Sequence, residues 1–209
     1  MVFPWGFLFA GFFSIAAFSQ KTIEKSWEAH RFQKLEVVSN LVYHIKLVPQ
    51  KAKEIKLLTT IQGENAENIV VPISEENNTL TITTAYRPFY DPKNDKLAAH
   101  KVISIEMEVY FPEAMEVFIE ANIASVECRG AINNLSVNLR DGNCFLYDFE
   151  GNAHINTREG TIAVWAGSQV AGKAISQHGE IKNELPEKGK YSLYAESVNG
   201  MISLLKSQE

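Results

Sequence analysis

Two pairs of charged residues recur at a fixed interval and could carry chemistry. Arg140 and Asp141 are followed 18 positions later by Arg158 and Glu159. On neighbouring parallel strands, each pair of like charges would lie about 5 Å apart. Such a cluster could bind Ca²⁺ and a sugar acid, and the raised pKa of crowded carboxylates would suit acid–base catalysis on a polysaccharide. The interpretation that we favour is a solvated row of surface ion pairs, which contribute little stability.

Two aromatic residues nearby could bind a sugar ring by stacking. Trp165 follows Val164, an apolar position of the repeat described below, so strand alternation turns Trp165 outward. Phe145 is predicted to point outward one unit earlier. Alternatively, a flanking strand or a partner subunit covers both rings. These two residues complete the set of candidate binding residues.

The sequence contains none of the common catalytic or nucleotide-binding motifs. Walker A, GxGxxG, HExxH and GxSxG patterns are absent, and the five histidines lack metal-ligand spacing. We therefore predict no catalytic residue, no metal site and no cofactor.

A repeat in the C-terminal part of the chain positions these residues. Each unit has a turn glycine followed by two apolar residues at alternate positions; the glycines are Gly142, Gly160, Gly179 and Gly200. Glycine is expected there because the turn needs a positive φ. The first apolar position is occupied by Val126, Cys144, Ile162, Ile181 and Ile202, and the second by Cys128, Leu146, Val164, Asn183 and Leu204. Asn183 interrupts the second series, where Leu185 could replace it.

Units this short bury their apolar residues only when neighbouring units cover them, so the repeat predicts a β-solenoid of stacked strands. Asp-Gly and Asn-Gly are also hairpin signals, which leaves an antiparallel sandwich or meander as the alternative. Earlier segments alternate apolar and polar residues with period two, and no segment has helical periodicity. We predict one all-β domain over 20–209, with irregular strands in 20–112 and the repeat in 113–209.

The N-terminal segment is different in composition. Residues 2–18 are almost wholly apolar and uncharged, and the small residues Ala17 and Ser19 precede a polar stretch. This pattern predicts a secretory signal peptide over 1–19, cleaved after Ser19. An uncleaved anchor is the alternative, because about 17 apolar residues is at the short limit for a membrane span.

The formal net charge of −5 argues against nucleic acid as a partner, since phosphate binding needs clustered lysine and arginine. The two cysteines are Cys128 and Cys144. Stacked units would place them diagonally, about 7–8 Å apart, which is long for a disulfide. We therefore favour two buried, unpaired thiols.

Segments such as 151–164 (GNAHINTREGTIAV) and 197–204 (SVNGMISL) resemble the putative adhesin family of exported bacterial β-solenoid proteins, related to the head domain of auto-transporter adhesins. The resemblance implies a right-handed stack and export to the periplasm or cell surface of a Gram-negative bacterium. It supplies no catalytic residues.

These observations predict a non-enzymatic adhesion, binding or structural role at the cell envelope or surface. A glycan, another envelope protein or a second copy of the chain are the partners that fit this role. The alternative is a carbohydrate-active β-helix enzyme similar to a polysaccharide lyase, which would use the charged residues of the repeat.

Overall fold

The computed structural model describes residues 20–63, 66–90 and 103–207, and the predicted signal segment 1–19 lies outside these ranges. Two short 3₁₀ helices, Ala29–Arg31 and Ala66–Asn68, accompany the strands. The strands are β1 (Gln20–Glu28), β2 (Lys34–Ser39), β3 (His44–Gln50), β4 (Glu54–Gln62), β5 (Ile69–Val70), β6 (Ile73–Glu76), β7 (Thr79–Thr83), β8 (Ala85–Tyr86), β9 (Ser104–Pro112), β10 (Glu116–Ala121), β11 (Ser125–Asp141), β12 (Cys144–Glu159), β13 (Ile162–Ala166), β14 (Val170–Ser176), β15 (Ile181–Asn183), β16 (Tyr191–Ser197) and β17 (Ile202–Lys206). The all-β prediction is confirmed. Within the described ranges, no helix is long and apolar enough to span a bilayer.

Most strands belong to one sheet of 15 strands with two branches that share β11 and β12. The first ladder runs β6, β7, β2, β10, the C-terminal part of β11, the C-terminal part of β12, β16 and β14. The second ladder runs β1, β4, β9, β3, the N-terminal parts of β11 and β12, then β13, β17 and β15. The repeat units pair in parallel, and register shifts mark the change of ladder in β11 and β12.

The apolar positions of successive units lie side by side, as the repeat predicts. In the second ladder the first column is Met107, Ile45, Val126, Cys144, Ile162, Ile202 and Ile181. The second column is Val109, Leu47, Cys128, Leu146, Val164, Leu204 and Asn183. Apart from Ile181 and Asn183, these side chains are buried and join those of the first ladder in one core.

The repeat units lie side by side in the sheet as parallel strands, a row that we call the stack, and their order in this row differs from their order in the sequence. Strand β16 lies between β12 and β14, and β17 lies between β13 and β15. The C-terminal unit, which consists of β16 and β17, therefore lies between the unit of β12 and β13 and the unit of β14 and β15, although it follows both of them in the chain.

A physical reason for this order is visible at the end of the stack. The unit that carries the polar Asn183 occupies the end, where Ile181 is 42% exposed, while Ile202 and Leu204 of the inserted unit are fully buried. The Asn183 side chain donates to the Gly172 carbonyl at 2.9 Å and accepts from the Leu185 amide at 3.0 Å. Leu185 is buried, as expected for the residue that replaces Asn183 in the core.

The turn glycines form a column along one edge of the stack. A Cβ at Gly142, Gly160, Gly200 or Gly179 would lie 2.0, 2.1, 1.7 or 1.9 Å from a carbonyl oxygen of the neighbouring unit. Of these four, Gly160 has a positive φ, of 120°. The predicted reason for glycine thus holds at Gly160, whereas close approach between units requires glycine throughout the column.

Cys128 and Cys144 are buried and free. Cys144 is the register partner of Val126, and Cys128 that of Leu146, so the two thiols are diagonal neighbours. Burial raises the pKa of Cys128 to about 12 and also raises the pKa of Cys144. Both cysteines therefore serve as small apolar core residues.

Candidate functional site

The four charged residues of the repeat do come together, at the edge of the stack beside the glycine column. Asp141 and Glu159 are register partners on β11 and β12. Arg140 Nε donates to Asp141 Oδ2 at 2.7 Å, and Arg158 Nη2 lies 3.2 Å from Asp141 Oδ1 and 3.6 Å from Glu159 Oε1. The arrangement is a row of ion pairs in which Arg140 contacts Asp141, and Arg158 contacts both Asp141 and Glu159.

The electrostatics of this edge do not suit acid–base chemistry. The hydrogen bond from Arg140 lowers the pKa of Asp141, and Arg158 lowers it further. The raised pKa that crowded carboxylates would produce is not found, because the two arginines that contact Asp141 determine the direction of the shift. The side chains of Arg140, Arg158 and Glu159 are about half exposed (51, 55 and 54%), which fits the surface-ion-pair interpretation.

Replacing Arg140 by alanine should raise the pKa of Asp141 toward the value of an ordinary aspartate. The lowered pKa means that Asp141 contributes stability above the pKa of the unfolded chain, and that this contribution is lost as the pH falls through the folded-state pKa. Carboxyl-detected NMR titration of the wild type and of Arg140→Ala measures the shift. An unchanged Asp141 pKa would contradict the assignment of Arg140 as its main partner.

The outward aromatic pair of the second ladder is Tyr147 and Trp165, and Phe145 is not part of it. Leu146 pairs with Val164, so the residues after them stand side by side, while Phe145 lies opposite Ala163. The rings of Tyr147 and Trp165 stack with centroids 5.0 Å apart and planes at 11°. The signal was present in the sequence, since Tyr147 follows the second apolar position as Trp165 does.

The ring of Tyr147 and one face of Trp165 are already in contact with other side chains. Arg129 lies over Tyr147 at 5.0 Å from the ring centroid and forms an ion pair with Asp148. Trp165 covers the other face of Tyr147, and Leu205 is the register neighbour of Trp165 on its far side. An adjoining cleft has a volume of about 520 Å³. It is lined by the residues just named and by Lys182, Glu184, Lys206 and Ser207. The other face of Trp165 lies on the side of Leu205, and charged residues line the cleft, so stacking of a sugar on Trp165 is not favoured.

A second aromatic surface, which sequence reasoning missed, lies on the outside of the first ladder. The rings of His154 and Tyr194 are 5.3 Å apart and tilted by 50°, and Lys173 Nζ lies 5.5 Å from the Tyr194 centroid. The Tyr194 hydroxyl donates to Glu196 at 2.5 Å. An adjacent cleft of about 430 Å³ extends from these rings to Phe118. From the sequence alone, His154 is one of five histidines without a recognisable spacing. Its ring partner Tyr194 lies on another strand, so local spacing does not reveal the contact.

A further cleft, of about 890 Å³, lies beside Ala52, Lys53, Asn77 and Asn78. It is lined by Phe32 and Met115 with polar residues around them. No group of three His, Cys, Asp or Glu residues that could hold a metal ion occurs in the part of the chain that the structure describes.

No family model matches the sequence, and no curated protein is similar to it. The structure is similar to that of a putative cell adhesion protein from Clostridium sporogenes, at 15% identity over 90% of this chain and 100% of that one, with a TM-score of 0.65. Putative adhesins from Bacteroides fragilis (14% identity, 90% and 98% covered, TM-score 0.41) and Parabacteroides distasonis (10%, 88% and 97%, 0.32) are more distant. The likeness to the Clostridium protein shows a shared fold.

Proposed function

We propose that the chain is an exported, non-enzymatic binding protein of the cell envelope or cell surface, built as a right-handed β-solenoid. The parallel pairing of repeat units and the fold shared with the Clostridium putative cell adhesion protein support this proposal. The uncharged apolar segment 2–18 supports export. The periplasm and the outer surface of a Gram-negative cell both fit.

The observation that carries the binding role is the outer face of the first ladder. There the exposed side chains of parallel strands stand in columns on a rigid sheet, with aromatic rings beside amides. A rigid surface of this kind is suited to contact with a ligand, because the side chains need little ordering on binding. The charged edge, whose residue types could have carried catalysis, is an exposed row of mutually paired ions.

A glycan or another envelope protein is the partner class that we propose. Self-association through the end of the stack is less favoured. That end is formed by β14 and β15, whose edges carry Lys173 and Lys182. Lysine on an edge strand discourages pairing with a further strand.

Cell fractionation of a bacterium that expresses the full chain tests the proposal. We expect the protein in the envelope fraction or the medium, with an N-terminus at Gln20 by sequencing. An intact chain that begins at Met1 and is found in the cytoplasm would overturn the exported role. Release of products from an anionic polysaccharide by the purified protein would overturn the non-enzymatic role.

A further inference from the structure

One outward column of side chains on the first ladder contains a gap, because a small residue lies between two aromatic ones. Register partners place Phe118 on β10, Ser136 on β11, His154 on β12 and Tyr194 on β16 in a row. Ser136 is the small member between two rings. The cleft of about 430 Å³ lies at this position and is lined by all four residues.

Each ring that borders the gap has a partner on its other side. Lys34, from the strand on the side of Phe118 away from Ser136, places Nζ 5.2 Å from the Phe118 centroid. Tyr194, from the strand on the side of His154 away from Ser136, packs 5.3 Å from the His154 ring. The remaining ring surfaces of Phe118 and His154 therefore border the space above Ser136.

The spacing of the gap matches one inserted ring. Phe118 and His154 are two strands apart, which is about 9.5 Å at the ordinary spacing of strands in a sheet. A ring inserted midway would lie about 4.8 Å from each of them, within the usual range for stacked rings.

The polar side chains around the gap include neutral and charged groups. The lining of the cleft contains Asn134, Asn152 and Ser192 as well as Lys34 and Glu116. Among the described residues, the Ser136 hydroxyl has no hydrogen-bond partner, whereas Asn152 is engaged with Asn134 at 3.2 Å and with the Ser192 amide at 3.1 Å. The gap thus offers a free hydroxyl at its floor, rings at its two ends, and amide and charged groups beside it.

We propose that the gap between Phe118 and His154, floored by Ser136, is a subsite for one ring of a neutral saccharide. A pyranose ring presents C–H groups on its faces, which match the rings of Phe118 and His154, and hydroxyls at its rim, which match the Ser136 hydroxyl and the polar groups beside it. The nearby acids Glu116 and Glu120 disfavour an anionic sugar, and Lys34 is paired with Glu36 at 2.6 Å. The inference rests on the proposed binding role and names its ligand class.

The rival occupant is an aromatic side chain of a protein partner. Such a ring would stack equally well, but it would cover the Ser136 hydroxyl without supplying a hydrogen bond to it. Unsatisfied polar groups at an interface cost affinity. The saccharide is therefore the occupant that the surroundings of the gap favour.

Affinity electrophoresis of the protein purified after expression of the full chain tests the proposal. Native gels would contain amylose, galactomannan, laminarin or hydroxyethylcellulose, with polygalacturonate as the anionic comparison. We expect retardation by at least one neutral polysaccharide and none by polygalacturonate. Ser136→Phe, which fills the gap with a ring, should weaken binding by about tenfold or more.

Two further variants keep the result interpretable. Phe118→Ala should weaken binding similarly by removing one end of the subsite, while Trp165→Ala, on the other ladder, should leave binding unchanged. Denaturant unfolding of each variant verifies that it is folded. Ser136→Phe should fold because outward aromatic residues in adjacent strands pack favourably.

The proposal fails if no neutral polysaccharide retards the protein, or if Ser136→Phe binds as the wild type does. Binding to an immobilised tryptophan-containing peptide in place of the polysaccharides would assign the gap to a protein partner and would also overturn it. Recovery of a non-binding protein from the envelope would remove this subsite and leave the exported role standing. Cytoplasmic localisation of a protein that still binds the polysaccharide would remove the exported role and leave this subsite standing.

Discussion

Replacing Gly200 by alanine is expected to destabilise the protein by about 3 kcal/mol or more. The added Cβ would lie 1.7 Å from the Gly160 carbonyl oxygen and 2.7 Å from Ser197 Oγ. The first contact is with a backbone atom, so it can be relieved only if the unit that contains Gly200 moves away from the unit that contains Gly160. The Gly200 amide also donates to Ser197 Oγ at 2.7 Å, and that movement would strain this turn. Urea unfolding of the wild type and the variant measures the loss.

Gly167→Ala is the matched control. A Cβ at Gly167 would meet only the flexible Glu150 side chain, at 3.3 Å, so a change of less than about 0.5 kcal/mol is expected. Equal stability of Gly200→Ala and Gly167→Ala would contradict the glycine column as a point of close contact between units.

Ending the chain after Lys190 is expected to unfold residues 170–183 while leaving the rest of the stack in place. This truncation removes β16 and β17, which are the strand partners of β14 and β15 respectively. Without those partners, β14 and β15 lose their ladder hydrogen bonds and their cover over the core. Amide exchange of 170–183, followed by mass spectrometry, should accelerate by about a hundredfold or more.

Amides of β9, which lies several strands away between β3 and β4, serve as the internal reference and should stay protected. Ending the chain after Lys206 keeps both C-terminal strands and should leave all exchange rates unchanged. Retained protection of 170–183 in the shorter chain would mean that β14 pairs with β12 directly, as it would if the units stacked in chain order.

The strand pattern and the neighbours within the first units follow from the sequence because they depend on local spacing. Alternation places Val126, Cys144 and Ile162 in one column, and the constant interval between glycines sets the register. The position of the C-terminal unit depends on which of the last two units can leave one side uncovered at the end of the stack. Asn183 was the available signal, since a polar residue in an apolar column suits the end of a stack.

The candidate site was predictable only in part for a similar reason. The contact of Asp141 with Arg158 follows from equal spacing. The direction of the Asp141 pKa shift depends on the hydrogen bond from Arg140, and spacing in the sequence does not reveal that bond. The gap above Ser136 is formed by rings from neighbouring strands, so no single segment of the sequence reveals it.

The order of the C-terminal units is the central claim about the fold, and it also places Tyr194 against His154. Disulfide formation in double-cysteine variants of the full chain tests this order directly. In the structure Ser203 is the register partner of both Ala163 and Lys182, and lies between them. Adjacent strands are about 4.8 Å apart, within reach of a disulfide, whereas a separation of two strands, about 9.6 Å, is not. The order predicts that Ala163→Cys with Ser203→Cys forms a disulfide on mild oxidation and that Ala163→Cys with Lys182→Cys does not. A disulfide in the second variant and none in the first would contradict it.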